Sequence, residues 1–195
     1  MKILKNRKIA ILITAAVAVL ATLIGVNRSL NRLAQDIERM FYDGVYRAPD
    51  GYTEPSIYIH LDNSADAALG LATLLQNYTG LGEKAEDLLS ARRELLSAES
   101  ISAKSIQDSH MIQAFVELIQ AAKETDLPDR DIEAVSRYLQ TFSGAHISIA
   151  NSLYHEKVLQ YTSDISPLAE FISMLTPGRL PESFNPNPVP AIAFP

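Results

Sequence analysis

The 195-residue sequence contains no cysteine and no tryptophan. Without cysteine the chain has no disulfide, no thiolate nucleophile, no thiolate metal ligand and no lipid-modified cysteine anchor. A cysteine-free chain also suits an oxidising, extracytoplasmic setting, because no thiol there could mispair. Strand-like alternation of polar and apolar residues is missing as well, which points away from a β-rich fold.

The charge balance is acidic, with a formal net charge of −6 at pH 7. Positive charge is nevertheless concentrated at the N-terminus, in Lys2, Lys5, Arg7 and Lys8. The rest of the chain is therefore more acidic than the total suggests. Because an acidic surface repels phosphate groups, nucleic acid is not expected as a partner.

The longest apolar stretch runs from Ile9 to Val26 and carries no charge. A helix of about 20 apolar residues spans a bilayer core of about 30 Å, and the flanking Lys8 and Arg28 can reach the membrane surface. We therefore predict a single transmembrane helix here, with the lipid bilayer as its partner. The basic head, residues 1–8, predicts a cytoplasmic N-terminus and an extracytoplasmic remainder. A cleaved signal peptide and a buried core helix are the alternatives.

Residues 27–175 show helical periodicity and predict an all-α fold, an antiparallel helical bundle of about four long helices. The apolar stripe of the anchor continues through Leu30, Leu33, Ile37, Met40 and Phe41. We therefore expect one rod over about residues 9–42, or two helices hinged near residues 25–27. Further helices are expected over about residues 56–78, 83–98, 105–125 and 128–165.

Local signals predict where these helices begin and end. Asp126 is expected to cap the last long helix, with Pro128 in its first turn. Gly144 and the preceding serine are expected to kink or break that helix. Pro167 is then expected to end it, before a short helix over residues 168–175.

Two irregular segments flank the bundle. The loop after the first helix holds turn sequences and Tyr42, Tyr46 and Tyr52, which either form a binding surface or, as the simpler hypothesis, cover the end of the bundle. The C-terminal tail, residues 176–195, contains six of the ten prolines and is expected to be extended, with little order. Its apolar end is expected either to pack on the bundle or to dock a partner.

No catalytic pattern stands out. None of the four histidines forms an HExxH pair, and His146 and His155 lack the three- or four-residue spacing of helical metal ligands. Serine nucleophile motifs and a phosphate-binding glycine loop are also missing. The sequence thus predicts a non-enzymatic protein with no catalytic residue, no metal and no cofactor.

Two segments carry a resemblance to a known family. The first has an aspartate, an apolar helical run, a tyrosine twelve residues on and an Ala-Arg pair, and the second has spaced aromatic residues and a valine: Asp66, Tyr78, Ala91, Arg92, Tyr154, Val158 and Tyr161. With the N-terminal apolar segment, the chain resembles the LemA family over about residues 28–175. The resemblance implies a bacterial, membrane-anchored antiparallel helical bundle with no established enzymatic activity.

The motif positions also have a physical interpretation. Asp66 lies on a helix of small residues, so we expect it to be partly buried and paired with Arg92 on the next helix. Tyr154, Val158 and Tyr161 fall on one helical stripe and are expected to pack in the core. We therefore interpret all seven motif residues as structural and assign them no functional role.

These features favour a membrane-anchored scaffold or protein-interaction module of the bacterial cell envelope, whose partner is an unknown membrane or envelope protein. The alternative is an extracytoplasmic sensor or ligand-binding bundle that works with a partner membrane protein. A long amphipathic rod can also pair with a second copy, so a homo-oligomer is a further expectation.

Overall fold

The computed structural model describes residues 7–47, 51–173, 180–192 and 194, and it describes only the backbone of Lys8 and of residues 165–173. Within these residues the chain forms six helices and one two-stranded sheet: α1 (Arg7–Asp43), β1 (Val45–Arg47), β2 (Tyr52–Glu54), α2 (Ile57–Leu75), α3 (Gly82–Ser97), α4 (Ile101–Lys123), α5 (Asp129–Ala150) and α6 (Leu153–Ser173). The predicted all-α fold with an N-terminal apolar helix is confirmed. Expectations for residues 1–6, 48–50 and 174–179 concern positions outside the described residues.

The chain divides into two compact units. The anchor unit combines Met1–Ile37 with Lys157–Pro181, and the bundle unit combines Glu38–Glu156 with Glu182–Pro195. In the anchor unit, the Tyr161 hydroxyl donates a hydrogen bond to the Leu30 carbonyl oxygen at 3.1 Å. This bond ties α6 to α1 within that unit.

Helix α1 is unbroken through Gly25, so no hinge is present at residues 25–27. Among the described helices, it is the one long and apolar enough to cross a membrane, and 0% of its apolar window is buried. That exposure argues against a buried core helix. Ala34, Ile37 and Phe41 are the buried positions of its later turns, whereas Leu33 is exposed.

The bundle unit is built around α2, α3, α4 and α5, with α2 against α3 and α5, and α3 against α4. Serines begin two of these helices: Ser56 accepts a hydrogen bond from the Ile59 amide, and Ser100 accepts one from the Ala103 amide. The many alanines of α2 allow neighbouring helices to approach it closely. Gly70 of this helix lies directly against the Tyr138 ring of α5. Leu69 and Leu96 belong to the apolar residues of α2 and α3 but are exposed.

Several predicted boundaries are wrong. Helix α4 begins at Ile101 instead of residue 105, because Ser100 caps it. Helix α5 begins after an extended Pro128, so Asp126 does not cap it. Its first turn instead contains Asp129 and Asp131, whose negative charges suit the positive end of the helix dipole.

The single long helix predicted over about residues 128–165 is two helices, α5 and α6. The break lies at Asn151 and Ser152 instead of Gly144, since Asn151 Nδ2 donates to the Ile147 carbonyl and the Ser152 hydroxyl accepts from the Tyr154 amide. These side chains satisfy the backbone groups that a helix end leaves open. Helix α6 then continues through Pro167 to Ser173, so the predicted stop at that proline is wrong.

A β-hairpin follows α1, although no strand was predicted. Gly44 ends the helix with φ +86°, and a side chain there would overlap the Glu54 carbonyl. The strands pair antiparallel, with Tyr46 opposite Thr53 and Arg47 opposite Tyr52. Strands of three residues are too short for alternation to be visible in the sequence.

The tail segment, residues 182–192 and 194, has neither helix nor strand. It is nevertheless packed onto the bundle unit, because Phe184 is fully buried with its ring centroid 5.7 Å from that of Phe41. Val189, Ile192 and Phe194 also contact the hydrophobic core. Of the two expectations for the apolar end of the tail, packing on the bundle is the one observed.

Candidate functional site

Two buried ionisable side chains meet in the core of the bundle unit, Asp108 on α4 and His146 on α5. The His146 Nε2 atom lies 3.0 Å from Asp108 Oδ1, and Nδ1 lies 2.9 Å from the Phe142 carbonyl oxygen. The Phe142 ring stacks on Phe115 at 3.8 Å between centroids and also contacts the His146 ring. The pair is therefore buried beside a stacked aromatic pair.

The Phe142 carbonyl fixes one proton of the His146 ring. A carbonyl oxygen only accepts hydrogen bonds, so Nδ1 carries a proton toward Phe142. The Asp108 carboxyl group is then the hydrogen-bond partner of Nε2. Because both ring nitrogens are engaged, His146 has none left to act as a general base. The pair works as a cross-link between α4 and α5.

Sequence reasoning missed this pair, although a signal was present. Asp108 precedes Met111 and Ile112 by three and four residues, and His146 follows Phe142 by four. Both polar residues therefore lie on the apolar stripes of their helices. The pattern indicates burial, but the helical period alone does not show that the two stripes face each other.

A cleft of about 640 Å³ lies between α5 and the tail segment; its lining is mostly apolar and comprises Ser143, His146, Ile147, Ala150, Pro188, Val189, Pro190, Ala191 and Ile192. Its size falls within the range of about 300–1,000 Å³ that is typical of small-molecule sites. We call it the tail cleft.

Four tyrosines on or next to the hairpin in the chain are exposed, and we refer to them together as the tyrosine surface: Tyr42, Tyr46, Tyr52 and Tyr58. The strand register places Tyr46 and Tyr52 on opposite faces of the hairpin. The rings of Tyr42 and Tyr58 lie 5.7 Å apart between centroids. Tyr46 and Tyr52 project from the hairpin and are 65% and 52% exposed. The exposure of Tyr46 and Tyr52 does not fit the hypothesis that the loop tyrosines cover the end of the bundle, whereas Tyr42 packs against the buried Phe41 ring at 5.0 Å between centroids.

Glu54 holds the hairpin in position. Its carboxylate accepts hydrogen bonds from Arg47 at 2.8 Å and from the Leu153 amide at 3.0 Å. Burial by itself would raise the pKa of Glu54, but the bonds from Arg47, Leu153 and Ser152 outweigh it and lower the pKa. The hairpin that carries two of the tyrosines is thus fixed to the start of α6.

A second cleft of about 400 Å³ lies beside the hairpin; it is lined by Arg47, Tyr52, Glu54, Pro55, His60, Ser148 and Asn151. Burial lowers the pKa of His60, and the nearby Glu54 carboxylate offsets part of that effect. We call this polar depression the hairpin cleft.

Lys104 is a buried cation on α4. Its Nζ atom lies 3.4 Å from the Leu95 carbonyl oxygen and 5.5 Å from the centroid of the Tyr58 ring. A ring face at this distance attracts a cation. Burial nevertheless lowers the pKa of Lys104, because removal from water disfavours the ammonium form.

The first set of family-motif residues lies where α2, α3 and α5 pack. Arg92 reaches Asp66 at 3.4 Å, as predicted, but the Asp66 side chain is 68% exposed and therefore not partly buried. Arg92 Nε also donates to the Ala65 carbonyl at 2.9 Å. Ala91 is buried, and the Tyr78 hydroxyl donates to Asp131.

The second set of motif residues is buried, as expected for core packing. The Tyr154 hydroxyl donates to the Glu182 carbonyl oxygen in the bundle unit. Burial and two nearby carboxylates raise the pKa of Tyr154, so this tyrosine stays protonated. Val158 and Tyr161 are buried in the anchor unit, while the side chain of Ile165 is outside the described residues.

Over the part of the chain that the structure describes, no three histidine, aspartate or glutamate side chains are grouped so that they could hold a metal ion. No protein-family model, no curated protein and no solved structure matches the chain. These results do not bear on the LemA resemblance, which stays a prediction.

Proposed function

We propose that the protein is a non-enzymatic, membrane-anchored helical-bundle protein of the bacterial cell envelope that acts as an interaction module, similar to LemA proteins. Helix α1 would hold it in the bilayer, with the N-terminus cytoplasmic and the bundle unit outside. A membrane or envelope protein would bind the tyrosine surface.

The anchor part of the proposal is supported by the exposed apolar face of α1. Large side chains such as Leu12 and Val17 are 71% and 59% exposed. In water, a continuous apolar surface of this kind is unfavourable by about 25 cal/mol for each Å² exposed. A bilayer covers such a surface, and the helix satisfies its own backbone hydrogen bonds there.

The observation that carries the interaction part is the tyrosine surface. Tyrosine is enriched in protein interfaces because its ring buries a large area while its hydroxyl keeps a polar contact. Tyr46 and Tyr52 stand on a hairpin that the Glu54 bonds fix to α6, so little ordering entropy would be lost on binding.

The test is quantitative cross-linking in native membranes, with mass spectrometry of the linked neighbours. A variant with Tyr46→Ser and Tyr52→Ser is expected to lose its principal neighbour while it stays in the membrane fraction. The matched control is Ile106→Ser, which removes an apolar side chain of similar exposure, 58%, from the same unit. The control is expected to keep the neighbour.

An unchanged neighbour in the tyrosine variant would overturn the interaction proposal. Release of the wild-type chain from membranes by alkaline carbonate would overturn the anchor. Catalytic turnover by the purified chain would overturn its non-enzymatic character.

A second candidate function, ligand binding by an extracytoplasmic sensor bundle with a partner membrane protein, is favoured by the two clefts. The tail cleft and the hairpin cleft, at about 640 and 400 Å³, have the volume of small-molecule sites. A thermal-shift screen of small metabolites tests it, since a ligand that binds the folded state raises the melting temperature. Ile147→Lys should remove the shift of a ligand in the tail cleft, and Ser148→Lys that of a ligand in the hairpin cleft. If no metabolite gives a shift that one of these variants removes, this candidate fails.

A further inference from the structure

The hairpin cleft lies between the hairpin, the start of α2 and the end of α5, all within the bundle unit. In the strand register Arg47 stands opposite Tyr52, so these two side chains share one face of the hairpin. Glu54 follows Tyr52 by two residues and lies on the same face. This face lines the cleft, whereas Tyr46 lies on the opposite face of the hairpin.

The charged side chains of the cleft cancel one another. The Arg47 guanidinium and the Glu54 carboxylate form an ion pair at 2.8 Å. Burial lowers the pKa of His60, which keeps its imidazole ring neutral at pH 7. A cationic ligand would be repelled by the guanidinium and an anionic ligand by the carboxylate. The lining therefore favours an uncharged ligand.

The helix residues of the cleft present both donors and acceptors of hydrogen bonds. Asn151 Nδ2 donates one of its two protons to the Ile147 carbonyl at 2.9 Å, so the second proton and Oδ1 remain for a ligand. The Ser148 hydroxyl donates to the Gly144 carbonyl at 3.1 Å and keeps its own lone pairs as acceptors. Neither ring nitrogen of His60 hydrogen-bonds to another described residue. Hydroxyl groups on a ligand match this set, because each hydroxyl both donates and accepts.

Two flat apolar surfaces complete the lining, the rings of Tyr52 and Pro55. Tyr52 is 52% exposed, so a ligand can reach its ring. The face of an aromatic ring carries partial negative charge and attracts C–H groups that lie on it. A pyranose ring has C–H groups on its faces and hydroxyl groups around its edge. It therefore combines the apolar face and the uncharged polar edge that this lining requires.

The lining is also held in place before any ligand binds. Glu54 accepts hydrogen bonds from Arg47 and from the Leu153 amide, which fixes the cleft face of the hairpin to the start of α6. The bond from Asn151 to its own helix fixes that side chain as well. Little conformational freedom would therefore be lost on binding.

We propose that the hairpin cleft binds an uncharged saccharide, with a pyranose ring stacked on Tyr52 and its hydroxyl groups hydrogen-bonded to His60, Ser148 and Asn151. The proposal rests on the second candidate function, ligand binding by the bundle, and it adds the cleft and the class of ligand. Tyr46, on the opposite face of the hairpin, stays available to a partner protein.

The test is saturation-transfer difference NMR on the purified full chain in phosphocholine micelles, because glycoside detergents would themselves occupy a saccharide site. One ligand series keeps the pyranose ring and changes its charge: methyl glucoside is uncharged, glucosamine is cationic and glucuronate is anionic. Methyl galactoside, methyl mannoside and N-acetylglucosamine extend the uncharged group. We expect the protein to saturate at least one uncharged sugar, and to saturate the two charged sugars much more weakly.

Paired variants locate the binding site. Tyr52→Ala should raise the apparent dissociation constant of the bound sugar about tenfold, because the stacking surface is lost. The matched control, Tyr46→Ala, removes the same ring from the opposite face and should leave the constant unchanged. His60→Leu should weaken binding several-fold, whereas His110→Leu, at an exposed position of α4, should not.

The proposal is overturned if the protein saturates none of the uncharged sugars, or saturates glucosamine or glucuronate equally well. Binding that neither Tyr52→Ala nor His60→Leu weakens, or that Tyr46→Ala weakens as much as Tyr52→Ala, would also overturn it. If no sugar binds but another metabolite gives a thermal shift that a cleft variant removes, the second candidate function stands and the saccharide proposal alone fails.

Discussion

Replacement of Asp108 and His146, singly and together, by leucine should give strongly non-additive losses of stability. Both side chains are almost fully buried, at 0% and 4% exposure, so solvent does not screen their interaction. Loss of one partner leaves the other buried without its hydrogen bond, which costs about 3 kcal/mol. The double variant leaves no such group, and it should lose less than either single variant because apolar replacement of a buried pair is often neutral.

The assay is thermal unfolding of the full chain in detergent, followed by circular dichroism. For a chain of this length about 1 kcal/mol corresponds to about 3 °C, so each single variant should melt about 9 °C below the wild type. The control is the exposed pair of Arg93 and Glu86, 2.9 Å apart, whose coupling should stay below about 0.5 kcal/mol. If the losses at Asp108 and His146 add, the buried pair is not a unit and the reasoning is refuted.

Three further variants test other contacts. Gly70→Ala should cost about 1–3 kcal/mol, because the new methyl group meets the Tyr138 ring, and an unchanged melting temperature would contradict that contact. Arg92→Ala should cost about 1 kcal/mol through its lost bond to a buried carbonyl, whereas exposed Asp66→Ala should cost less than about 0.5 kcal/mol, so equal losses would count against this assignment. Lys104→Met should raise stability at neutral pH. Since burial lowers the pKa of Lys104 below 10.5, the unfolded chain binds more protons than the folded one at pH values between the folded and unfolded pKa, and stability rises with pH there. The methionine variant should lose this rise in urea titrations, and an identical pH profile would contradict the argument.

The helices of the bundle could be predicted because their apolar stripes repeat clearly. On α4, all six residues of the apolar stripe are buried: Met111, Ile112, Phe115, Leu118, Ile119 and Ala122. The helix boundaries were harder to predict. Serine and asparagine begin or end a helix at Ser100 and Asn151, but the same residue types also occur inside helices, where their side chains bond to the preceding turn.

The candidate sites depend on contacts between distant residues, which periodicity does not reveal. Asp108 and His146 are 38 residues apart. The sequence around each shows only that the residue lies on an apolar stripe of its helix. The tail has no period that marks a binding surface, and Ser105, which hydrogen-bonds to Asn185 of the tail, resembles any polar residue of an exposed helix face. Tyr42, Tyr46 and Tyr52 were predicted as a group, but Tyr46 and Tyr52 lie on a hairpin whose strands have only three residues each.

The claim that a membrane-anchored bundle acts through the tyrosine surface is tested most directly by site-specific photo-cross-linking in living cells. A photoreactive phenylalanine analogue replaces Tyr46 in the full-length chain, and the control carries it at Ile106, which is exposed elsewhere in the same unit. The account predicts one discrete adduct with a membrane or envelope protein at position 46, recovered in the membrane fraction, and none at position 106. The absence of an adduct at position 46, or the same adducts at both positions, would contradict it.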